Sequence, residues 1–85
     1  MKLPIIKHFL EFMVEKDEDF LHETIETLEA LTEVSSLKDE ELNVIGELLS
    51  NMFAALEVKK SIDSGVPRTK ALNDFMGRVL GSIDK

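Results

Sequence analysis

From about residue 37 to residue 64 the chain carries one uninterrupted helical pattern, and this stretch limits the fold more than any other feature. Ser36 precedes it and, with Asp39 three residues on, resembles a capping box with a shorter acid. Gly65 follows it as a C-terminal stop. About 27 residues at 1.5 Å per residue make a rod of roughly 40 Å. Within it Leu42, Ile45, Leu49, Met52 and Leu56 alternate steps of three and four, the spacing of a coiled-coil seam. Leu48, Phe53 and Ala55 widen that seam on both sides. Gly46 stands mid-pattern at a cost of about 1 kcal/mol relative to Ala, so it marks either a break or a packing need.

The remaining patterns are shorter. Pro4 suits a first helical turn, and Ile5, Ile6, Phe9, Leu10, Phe12 and Met13 share one arc, predicting a helix over 3–15. Asp17 is an N-cap candidate for a second helix over 18–33, with Leu21, Ile25, Leu28 and Thr32 facing inward. Gly65–Val66–Pro67 separates the long helix from a fourth over 67–81, whose buried face is Ala71, Leu72, Phe75, Met76, Val79 and Leu80. Residues 82–85 are expected to fray. No segment alternates as a strand does. The expected fold is all-α: a single-domain, four-helix, bundle-like arrangement over 1–85 with one long central helix. The phenylalanines and the methionines Met13, Met52 and Met76 are spaced for burial, although a Met-rich binding groove is a second use of such residues.

Length then becomes an argument. Three helices of about 13–16 residues span roughly 20–24 Å each and cover the long one only if they lie end to end or on different sides. Otherwise a second copy supplies the cover. Gly46, Ser50 and Ala54 recur every four residues, a spacing that lets another helix backbone approach closely, either within the chain or from a partner. With Leu49 and Phe53 they form the candidate interface of an expected homodimer, whose contact is expected on the third or the fourth helix.

Charge narrows the partners. Charged residues are 32% of the chain and the net charge is −7, against nucleic-acid or anionic-membrane binding. The balance is uneven: residues 1–57 hold four basic and fourteen acidic residues, and residues 58–85 hold six and three. The two regions either attract each other or form separate solvated surfaces. Arg68, Lys70 and Arg78 give the fourth helix a mildly basic surface, too little for a DNA reader on so acidic a chain. No targeting signal and no run of about 20 apolar residues is present, which leaves the cytoplasm as the default location.

Few residues could carry chemistry. There is no Cys, so thiolate catalysis, disulfides and Cys-ligated metals are excluded. His22–Glu23–Thr24–Ile25–Glu26 reads H-E-x-x-E; Glu26 stands where a zinc protease has its second His. His22 and Glu26 are therefore weak metal candidates, with a solvated His–Glu pair as the plainer reading. Asp19 and His22 form a single fragment of a di-iron motif whose second copy is missing at His8. His8 itself sits at the edge of an apolar arc near Glu11 and Glu15, the ordinary place for a structural His. Ser35-x-x-Lys38 matches a hydrolase motif whose companion motifs are absent. No cofactor is expected.

The opening MKLPIIKHF, the segment DEELNVIGELLSNM over 39–52 and the segment ALNDFMGRVLGSIDK over 71–85 resemble a small uncharacterised bacterial family of about 85 residues. The resemblance implies no catalytic residue. It does imply a genomic neighbourhood of thioredoxin-like and peroxiredoxin genes, and hence a redox partner that a Cys-free chain could bind or regulate without exchanging disulfides. The expected function is a non-enzymatic interaction or accessory module. The alternatives are a small metal-dependent or acid–base enzyme using His22 and Glu26, and an acidic regulator of a basic partner.

Overall fold

A computed structural model of the chain describes residues 2–83, with side chains described through Val79. These residues form four helices and no strand: α1 (Leu3–Glu15), α2 (Glu18–Leu31), α3 (Asp39–Asp63) and α4 (Arg68–Ile83). α3 continues through Gly46 without a break. Local chemistry sets the ends. Asp17 caps α2, its carboxylate accepting the Asp19 N–H at 3.1 Å. α2 stops at Leu31, two residues short of the expected end. There the Thr32 hydroxyl donates to the Glu29 carbonyl at 2.6 Å, and the Glu33 and Val34 amides reach back only three residues.

The start of α3 shifts as well. Lys38, not Ser36, occupies the cap position, and the Glu41 carboxylate accepts the Lys38 N–H at 2.9 Å. The acid that reaches back is thus Glu41 rather than Asp39. At the other end Gly65 takes φ +108. Its N–H bonds to the Ile62 carbonyl at 3.0 Å and the Val66 N–H to the Ser61 carbonyl at 3.1 Å, the paired bonds of a Schellman stop. α4 starts at Arg68 and runs two residues past the expected end, to Ile83. Of the residues expected to fray, Asp84 and Lys85 lie outside the described ones, as does the Leu80 side chain.

Every other helix packs on α3. α1 also touches α2, whereas the backbone of α4 approaches neither α1 nor α2. The molecule is flat, 43 × 36 × 18 Å. α2 and α4 flank α3 in one layer and α1 crosses the back. The core is built where they meet: Ile6, Leu10 and Met13 of α1, Leu21 and Ile25 of α2, Met52, Ala55 and Val58 of α3, Ala71, Leu72 and Phe75 of α4. The seam of α3 divides. Ile45 and Met52 are buried, while Leu42, Leu49 and Leu56 are half-buried at its edge.

Asn51 sets the height at which α1 meets α3. It is fully buried; its Oδ1 accepts the Lys2 N–H at 2.9 Å, and its Nδ2 donates to the Glu47 carbonyl at 2.8 Å. The N–H just ahead of α1, which water would otherwise satisfy, is bonded to the middle of α3. α1 therefore begins at the level of Asn51 and runs toward the C-terminal half of α3, where Leu10 and Val14 border Ile62. α4 folds back on that same half, with Arg78 at Glu57. Among the described residues the first turns of α3 are sparsely covered, and Val44 on their back remains 59% exposed. Replacing Asn51 with Ala removes this link between α1 and α3 and should lower unfolding stability by about 0.5–1.5 kcal/mol in urea denaturation. Unchanged stability would contradict this role.

Candidate functional site

At 100° per residue, Asp39, Gly46, Phe53 and Lys60 fall along one stripe of α3, with Leu49 and Ser50 beside it. This stripe is the front of the α2–α3–α4 layer, opposite α1. Gly46 and Ser50 are exposed, Leu49 is half-buried, and Phe53 is 49% exposed. A Cβ placed on Gly46 meets nothing within 4 Å. The expected packing need for this glycine is therefore absent within the chain, and so is the close intrachain crossing at Gly46 and Ser50. Ala54 departs from the candidate set: it is 3% exposed and belongs to the core. Shallow grooves bound the Lys60 end of the stripe on either side. One runs between α3 and α4 past Ser61, Asn73 and Gly77, the other between α2 and α3 past His22 and Leu56.

The aromatic side chains correct the expectation of general burial. Phe75 is buried and Phe9 is half-buried, but Phe12, Phe20 and Phe53 are exposed. Phe12 and Phe20 stack edge to face with centroids 6.1 Å apart across the α1–α2 corner, which shields part of each ring. Phe53 has no aromatic partner among the described residues. Met13 and Met52 are buried and Met76 half-buried, so the methionines form core rather than a groove.

The metal candidates do not converge. His22 Nε2–H donates to Glu18 at 2.9 Å, one turn earlier in α2, and not to Glu26, which is exposed. Among the described residues no three His, Asp or Glu side chains are grouped to hold a metal ion. His8 is exposed and pairs with neither Glu11 nor Glu15 among the described contacts. No helix of the described residues is long and apolar enough to cross a membrane.

Charge works inside the fold. The ion pairs between helices join Glu18 to Lys59 at 3.5 Å, Glu11 to Arg68 at 3.5 Å and Glu57 to Arg78 at 3.1 Å. Each links an acid from the first 57 residues to a base from the last 28. Lys70 pairs with Asp74 at 3.0 Å within α4, so the basic surface expected on that helix is met by carboxylates. Glu18 is the junction of one network. The hydrogen bond from His22 holds its carboxyl below the ordinary value of 4.5, and Lys59 adds to the effect against some desolvation. Lys59 is raised above 10.5, first by its hydrogen bond to Asp63 at 2.9 Å. A carboxyl with a lowered folded pKa stabilises the fold above its unfolded pKa and loses that contribution as pH falls through the folded value. Glu18→Gln should therefore cost about 0.5 kcal/mol near pH 7, the scale of an exposed pair. Thermal melts should show the difference shrinking as the pH drops below 4.5. A gap that widens in acid would contradict the assignment.

No curated protein and no solved structure matches the chain. The chain matches the Family of unknown function (DUF6952) over residues 1–84, nearly its whole length, as the resemblance of the opening, 39–52 and 71–85 segments leads one to expect. With three shorter helices packed on α3, the chain belongs to the DUF6952 family.

Proposed function

We propose that this protein is a non-enzymatic association module whose working surface is the front of α3. The observation that carries the reading is the pairing of a half-exposed Phe53 with a glycine, Gly46, that has open space above it. A phenyl ring left half in water forgoes part of the roughly 1.5–3 kcal/mol that full burial gives. A mid-helix glycine costs about 1 kcal/mol more. Both costs are recovered when another helix lies on this face, with the ring covered and the two backbones close. The occupant most consistent with a domain this small is a second copy, which doubles the core available to each chain. A redox protein, the partner class the family resemblance implies, would use the same face by contact alone, because the chain has no Cys to exchange.

Light scattering across the micromolar range should give twice the 9.6 kDa mass of one chain. Phe53→Asp places a charge at the centre of the contact and should weaken association roughly 30-fold or more, the scale of a buried aromatic anchor. Its circular dichroism should stay helical, since Phe53 is outside the core of the single chain. A wild-type protein that remains a monomer at all these concentrations would end the homodimer reading.

A further inference from the structure

The front stripe is complementary to itself in one direction only. Asp39, Gly46, Phe53 and Lys60 stand seven residues apart along α3, in the order acid, gap, knob, base. Laid against a parallel copy, each residue meets its own kind: ring on ring, gap on gap, Lys on Lys. Laid against an antiparallel copy with the two-fold axis between Leu49 and Ser50, the stripe matches at every step. Phe53 then enters the space over Gly46 of the partner subunit, and Lys60 faces Asp39 of the partner subunit. Two-fold symmetry repeats both contacts. Lys60 and Asp39 have no ion-pair partner among the described residues, and both are exposed. At the axis Ser50 faces Ser50 of the partner subunit on one edge of the stripe and Leu49 faces Leu49 of the partner subunit on the other, with Leu42 and Leu56 of each copy at the margins.

We infer that α3 pairs with α3 of a second copy in this antiparallel register, an inference that rests on the association reading above and specifies its geometry. The flatness of the molecule favours it. The broad side measures 43 × 36 Å, room for the roughly 800 Å² per partner that a stable interface buries. The seven-residue step also suits a pair of helices that coil gently about each other, because it holds one stripe in contact over three heptads. The uneven cover of α3 fits as well. Antiparallel pairing lays its sparsely covered first turns against the half of the partner's α3 that α1 and α4 support.

The absence of Cys makes the register directly readable. Ser50→Cys places a thiol beside the two-fold axis and should form a disulfide-linked dimer under mild oxidation. Asn43→Cys places its two copies about 20 Å apart along the helices, beyond the reach of a disulfide, and should not cross-link. Both positions are exposed in the single chain, so neither substitution disturbs the core. Charge reversal gives the second arm. Asp39→Lys and Lys60→Glu should each weaken dimerisation about tenfold, and the double variant should recover most of the loss, which an effect on the helix terminus alone would not do. Cross-linking of both Cys variants would mean parallel pairing and overturn the register while sparing the association reading. A wild-type dimer in which neither variant cross-links would overturn the register and the front surface together. A monomeric wild type would overturn the association reading itself.

Discussion

The buried amide of Asn51 decides how much of α3 its own chain can cover. An unpaired polar group in the core costs more than the hydrogen bond that satisfies it contributes, so Asn51 is strongly held to its two partners. Nδ2 turns back to Glu47 in its own helix and Oδ1 takes the N–H of Lys2. That second bond fixes the start of α1 at the midpoint of α3. The direction of α1 and the turns at Lys16 and Gly65 then send α1 and α4 over the C-terminal half. α2 runs back alone toward the N-terminal half, tied at its start by Glu18 to Lys59.

The flat, open shape follows from that arrangement. Three short helices take the back and the two flanks of a long one, and its front stays open. In a closed four-helix bundle every helix turns its apolar stripe to a shared axis. Here the buried residues of α3, Ile45, Met52, Ala55 and Val58 among them, face the neighbours that the single chain supplies on the back and both flanks, while the mostly polar front keeps Phe53 half in water. The opposed charges of the two chain segments hold the layer together at its edges, through pairs that bridge α2 to α3, α1 to α4 and α3 to α4.

Much of this was legible in the sequence. The three-and-four spacing marked all four helices, and Asp17, Pro4 and Gly65 marked their ends through side-chain or backbone requirements that are purely local. Two of the ends that moved were set by competition. Thr32 spent its hydroxyl on a carbonyl and closed α2 early, and Glu41 drew the α3 cap to Lys38. Periodicity groups Gly46, Ser50, Ala54, Leu49 and Phe53 as a candidate interface; the fold leaves the others at or near the surface but buries Ala54, because a stripe at four-residue spacing curves around the helix. Its seven-residue companion, with Asp39 and Lys60 at the ends, stays on one side. Asn51 carried no signal at all. An Asn inside a helical pattern reads as a solvated position, and only the arrival of Lys2, 49 residues away in sequence, makes it a core residue.

The central claim is that the open space over Gly46 exists for a ring from another copy. Sedimentation equilibrium of Gly46→Leu tests it with the fold kept, because a Cβ at this position meets nothing within 4 Å and Leu is the better helix former. The account predicts a fully helical protein with the 9.6 kDa mass of a single chain at concentrations where the wild type sediments as a dimer. A Gly46→Leu protein that associates as tightly as the wild type would contradict it.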